Sequence, residues 1–236
     1  SPSEEGYKPR QFPSDREQAD MLGAIAHVEE YLEHRGRPRE VGLFGLSRGG
    51  GAAIVASIGI DSVKAIAVDG AFSSDAVMEY LIKRWANIFA KIRFAYQHHP
   101  VTVWRLLRWI ILVKAEKKFG ARYPSVRKAL NRISGKPILF IHGERDTYIP
   151  LEQTQMLYGL ATPPKYLWTV PGARHNQSVL QRPEQYGRTI VDFFNRHLSG
   201  DMTTSATSAT AMSDLVQPVA DGDGPLAATR IQQRIR

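Results

Sequence analysis

Cysteine is absent from the 236 residues. That excludes disulfides, thiolate metal sites and a cysteine nucleophile, and leaves the compartment open. No run approaches the roughly 18 apolar residues of a membrane-spanning helix. The opening residues Ser1-Pro2-Ser3-Glu4-Glu5-Gly6 carry neither a basic n-region nor an apolar h-region. The cytoplasm and a peripheral place on a membrane both remain open. No H-E-x-x-H, G-x-G-x-x-G or P-loop spelling occurs. His98 and His99 are adjacent, so their side chains diverge and make poor joint ligands. No metal and no organic cofactor is predicted. Acidic residues are scarce in one stretch. Between Lys83 and Lys136 stand fourteen Lys and Arg against Glu116 alone, a local +13 in a chain of net charge +8.

What is present is a pattern of strands alternating with helices. Ser14 with Glu17 three residues on reads as a capping box, followed by Leu22, Ile25, Val28 and Leu32 at helical spacing. Gly36 and Pro38 stop that helix. Apolar strand-like runs follow at 41–44, 63–69, 137–143 and 166–170, with helical stretches after each. The order predicts an α/β fold with a mostly parallel sheet and helices on both faces. Residues 1–200 make one domain, with a mainly helical insertion over about 72–135. Residues 201–236 are low in complexity and read as a disordered tail.

The run at 41–57, VGLFGLSRGGGAAIVAS, is the densest signal. It reads as strand, sharp turn, helix, with Ser47 at the tip between Gly45 and Gly49. A serine in that strained turn is crowded by the residues two before and two after it, so both need to be glycine. Gly50, Gly51, Ala52 and Ala53 let the helix pack close to the strand. By itself the pattern also fits an ordinary glycine-rich turn. Two further loops follow strands: Asp146 after one, His175 after another. A serine needs a base, and a histidine needs a carboxylate to fix its tautomer. Asp146 alone could stabilise its turn or cap the helix at Leu151, and His175 alone could be a polar loop residue. Asp69 and Asp75 are rival acids, and Asp69 also suits a role closing its strand by hydrogen bonds to loop amides.

The stretches GLSRGG at 45–50, PILFIHGERDTYIP at 137–150 and VPGARHN at 170–176 together resemble the α/β-hydrolase fold. The likeness is to its serine esterase, lipase-like and serine aminopeptidase (S33-like) members. It covers about residues 15–198. It implies Ser47 as nucleophile, Asp146 as acid, His175 as general base and the Arg48 backbone N–H as an oxyanion donor, with Asp69 the alternative acid. The substrate implied is a carboxylic ester, with thioester or amide behind it. Relatives normally place several strands, and often a His-Gly oxyanion loop, before the nucleophile strand. Here neither is legible ahead of Val41, so the expectation is an N-terminally incomplete sheet with impaired activity. Losing one oxyanion donor typically costs about 10²–10³ in rate. The insertion falls where this family carries a cap. With its basic, tryptophan-bearing 83–136 segment, that cap has four readings: a solvated helix face, contact with an anionic membrane surface, a lid over an acyl pocket, or contact with another acidic partner. No nucleic-acid recognition motif accompanies the charge. The rival to an enzyme is a non-catalytic module that uses the basic cap to bind.

Overall fold

The computed structural model describes residues 12–89, 101–133 and 135–198. The tail at 201–236, the start at 1–11 and the His98-His99 pair lie outside them. Helix α1 (Asp15–His34) begins at Ser14, whose side chain accepts from the Arg16 N–H while its own N–H donates to Glu17 at 3.0 Å. The capping box legible in the sequence is therefore formed. Of the α1 stripe, Ile25 is buried, Leu22 and Leu32 pack against the core, and Val28 turns outward.

The chain then runs β1 (Val41–Leu46), α2 (Arg48–Ala56), β2 (Val63–Asp69), α3 (Ser74–Phe89), α4 (Val101–Phe119) and α5 (Val126–Leu130). It continues as β3 (Ile138–Gly143), α6 (Leu151–Leu160), β4 (Lys165–Val170), α7 (Ser178–Gln181) and α8 (Pro183–Leu198). The four strands are parallel in the order β1-β2-β3-β4. All four coincide with the predicted strand runs.

Period-2 alternation splits the strands between two cores. Val41, Leu43, Ile66, Val68, Ile138 and Phe140 face α1, α2, α5 and α6. Ala65, Ala67, Leu139, Ile141, Trp168 and Val170 face α8 through Tyr186 and Phe193. β3 is buried at every position, as a strand covered on both faces should be. Among the described residues β1 pairs with β2 alone. Phe44 and Leu46 on it are 40% and 46% exposed, which leaves an apolar strand along that edge.

Between β2 and β3 lie α3, α4 and α5 in the region read as a cap. The local charge there is less free than the count of +13 suggests. Asp75 and Glu79, just ahead of the counted stretch, engage it. Asp75 pairs with Arg127, and Glu79 takes both Lys83 at 2.9 Å and Arg108 at 2.8 Å. Burial would raise the Asp75 carboxyl, yet its bonds from Arg127 and Ser73 hold it below the ordinary value.

Candidate active site

The site is built at the carboxyl ends of β1, β3 and β4, the edge where open parallel sheets place functional loops. Strand register brings the three loops together. Leu46 is level with Asp69, Asp69 with Ile141, and Ile141 with Trp168. The residues just past that line share one rim.

Ser47 sits on this rim with φ 50° and ψ −115°, a backbone state that an L-residue adopts only under constraint. The constraint is visible. The Ser47 N–H donates to the Asp69 carbonyl at 2.7 Å, and the Ser47 carbonyl accepts from Gly50 at 3.1 Å to start α2. A Cβ on Gly45 would lie 2.5 Å from the Gly49 carbonyl oxygen. The other flanking glycine differs from expectation: a Cβ on Gly49 would meet nothing within 4 Å. The crowding is backbone of Gly49 and Gly50 against Gly45, so it excludes a side chain at only one of the two positions. Gly50 and Gly51 would press on Ala71, Val68 and Pro13, so the close packing read from the small-residue run is present.

Ser47 Oγ lies 2.9 Å from His175 Nε2. His175 Nδ1 lies 2.6 Å from Asp146 Oδ2. The other Asp146 oxygen accepts the N–H groups of Tyr148 at 2.8 Å and Ile149 at 2.9 Å. Burial would raise this carboxyl, but the bonds from His175 and the two amides outweigh it and hold it below the usual carboxylate range. It is therefore ionised near neutral pH. A neutral imidazole bonded to it carries its proton on Nδ1 and leaves Nε2 free to accept from the serine. The Tyr148 ring stacks on the imidazole, with centroids 5.7 Å apart and planes at 25°.

Arg48 opens α2, which places its backbone N–H in the helix's first turn, beside Ser47. Its side chain reaches Glu17 of α1 at 3.5 Å. Asp69, the alternative acid, does not take the His175 bond; Asp146 does. The Asp69 carboxylate is buried on the α8 side and accepts from the hydroxyls of Ser178 at 3.2 Å and Tyr186 at 3.0 Å. Its expected partners were loop amides; its actual partners are two side-chain hydroxyls from α7 and α8. Burial raises its pKa against the pull of both hydroxyls. Asp75 is held by Arg127, Ser73 and Ser125, with no bond to His175.

Several contributors carried no sequence signal of their own. Gly143 is one: a Cβ there would lie 2.6 Å from the Ala173 carbonyl and 2.8 Å from that of Arg174. The end of β3 thus lets the His175 loop pass close. Tyr148 and the buried His142 are others. Phe12, Phe72, Val77, Leu81, Tyr148 and Ile149 join Ser47 and His175 around a cavity of about 110 Å³. Among the described residues no group of His, Asp or Glu could hold a metal ion.

No family model matches the chain. It is 26% identical over 185 residues to the uncharacterized protein YqkD of Bacillus subtilis, covering 76% of this chain and 54% of that one. It is 28% identical over 182 residues to the uncharacterized protein YfhR of Escherichia coli K12, covering 75% and 53%. The chain thus spans about half the length of the curated relatives it matches. Among solved structures it resembles the Pyrococcus furiosus esterase Pf2001, with TM-score 0.55 and 20% identity, over 78% of this chain and 63% of that one. It also resembles the α/β hydrolase GrgF from Penicillium sp., with TM-score 0.51 and 20% identity, over 81% and 75%.

Proposed function

We propose that this chain, which has the α/β-hydrolase fold, is a serine hydrolase that cleaves carboxylic esters by two-step acyl transfer. One observation carries the reading: the unbroken series of hydrogen bonds from Ser47 through His175 to Asp146. Ser47 Oγ attacks the ester carbonyl as His175 Nε2 takes its proton. Asp146 steadies the imidazolium that forms. The Arg48 N–H is an oxyanion donor, assisted by the α2 dipole. His175 then protonates the leaving alcohol. Water, deprotonated by the same nitrogen, releases the acid. The apolar lining of the cavity beside Ser47 favours a hydrocarbon acyl group, and esters demand less of the leaving group than amides do. A fluorophosphonate probe tests this. It is expected to label the folded protein on the tryptic peptide carrying Ser47. Absence of label from folded protein, or label elsewhere, overturns the reading.

A second role of the cap is favoured by the outer side of α4. Val101, Leu106 and Trp109 there are 58%, 56% and 61% exposed. The helix carries five basic residues and one acidic, Glu116. Among the described residues no helix is long and apolar enough to cross a membrane. An apolar, tryptophan-bearing helix with arginines along it and lysines at its C-terminal end suits shallow contact with an anionic bilayer, arginine and lysine reaching up to the headgroups. The full chain is expected to co-sediment with phosphatidylserine-containing vesicles. Binding should weaken as salt rises and should be lost in Leu106→Glu/Trp109→Glu. Equal binding to neutral phosphatidylcholine vesicles, or none to either, defeats this role.

A further inference from the structure

A second imidazole lies against Asp146, and acyl transfer makes no use of it. His142 is the fifth residue of β3 and is fully buried. Its Nε2 lies 3.0 Å from the Ile149 carbonyl oxygen and 3.6 Å from Asp146 Oδ2. Its Nδ1 lies 2.8 Å from Thr154 Oγ1 on α6. These partners fix the tautomer. A carbonyl only accepts, so Nε2 carries the hydrogen; Nδ1 is then the acceptor of the Thr154 hydroxyl. Burial pushes the ring's pKa down, with Asp146 and Glu152 opposing and His175 assisting. The ring is thus neutral near pH 7, as the hydrogen-bond assignment requires.

Ile149 is gripped from two sides. Its N–H donates to Asp146, and its carbonyl accepts from His142. The peptide groups that aim the acid are therefore fastened, through one ring, to both the strand before the loop and the helix after it. An apolar residue at 142 would fill the space but leave the Ile149 carbonyl and the Thr154 hydroxyl without these bonds.

We propose that His142, anchored by Thr154, is a positioning residue that holds the 144–150 loop so that the Asp146 carboxylate meets His175. The proposal rests on the hydrolase reading only for its kinetic consequence; the geometric one stands apart.

The test compares wild type with His142→Leu, His142→Gln and Thr154→Val, each checked for folding by circular dichroism. Two quantities are read: the low-field NMR signal of the His175 Nδ1 proton shared with Asp146, and the rate of fluorophosphonate labelling. In His142→Leu the low-field signal is expected to shift or vanish. Labelling should slow roughly 10- to 100-fold, the scale of a misplaced catalytic group. His142→Gln can still offer an N–H to Ile149 and is expected to recover most of both. Thr154→Val should shift the same signal less. If His142→Leu does not fold, Thr154→Val carries the test. A simple packing role would leave the His175 proton signal at its wild-type position in every folded variant, and that result overturns the proposal. An unlabelled wild type whose His175 signal still responds to residue 142 refutes the hydrolase reading and keeps this one. A labelled wild type with an unresponsive signal does the reverse.

Discussion

Replacing Ser47 with alanine is expected to lower ester turnover about 10⁶-fold, and replacing Asp146 with asparagine about 10⁴-fold. The serine effect follows from removing the only atom in the site that forms the acyl bond. The asparagine effect follows from hydrogen-bond polarity. Asp146 Oδ2 now accepts from His175 Nδ1 at 2.6 Å, while Oδ1 is fully engaged by the Tyr148 and Ile149 amides. Those two N–H groups force the asparagine oxygen to face them, so its NH₂ group faces His175. The imidazole must then accept at Nδ1 and carry its proton on Nε2, the tautomer that cannot act as base toward Ser47. Asp69→Asn is the control. Its carboxylate contacts hydroxyls from Ser178 and Tyr186, which can rotate to accept or donate. A loss of no more than about tenfold is expected there. Steady-state kcat/KM on an activated ester measures all three. A larger loss in Asp69→Asn than in Asp146→Asn would reassign the acid.

Gly45→Ala is expected to disable the site while Gly49→Ala leaves it working. The added methyl at 45 would stand 2.5 Å from the Gly49 carbonyl oxygen and 2.6 Å from the Gly50 Cα. Those are backbone atoms at the start of α2, so no side-chain rotation relieves the clash. The turn must open, and Ser47 leaves the constrained φ of 50° that aims its hydroxyl at His175. A displacement of about 1 Å costs on the order of 10²-fold in rate, and overpacking of this kind costs about 1–3 kcal/mol of stability. At 49 the methyl meets open space, and replacing a helical glycine with alanine favours the helix by roughly 1 kcal/mol. Thermal melts and labelling rates of the two variants decide the matter. Equal damage from both would mean that the turn is crowded in a way the backbone contacts do not explain.

Much of this architecture was legible because it is local. The buried runs that became β1 to β4, the Ser14–Glu17 cap and the Gly45–Ser47 turn depend on residues within a few positions of one another. Steric and hydrophobic preferences at that range are written into spelling. The two glycines beside Ser47 differ for the same reason: spelling shows that the turn is crowded, but only the fold shows that Gly45 is pressed while Gly49 faces open space. The net charge of the cap also depends on its fold. Asp75 and Glu79 neutralise part of it across α3, α4 and α5, by contacts between helices that no charge count along the chain contains.

The amino-acid order by itself determined that a serine would be forced into a tight strand-to-helix turn, and that Asp146 and His175 would each follow a strand of one parallel sheet. Only the tertiary structure decided that Asp146 and not Asp69 meets the imidazole. It also revealed that Gly143 admits the His175 loop and that His142, bonded to Thr154 and to the Ile149 carbonyl, lies against the acid. The reason is physical. Strand register sets which loop ends stand side by side, and the pleat sends neighbouring side chains to opposite faces. Asp69 therefore turns toward α8, to hydroxyls 109 and 117 positions away, while the β3 loop arches over to a histidine 29 positions from Asp146.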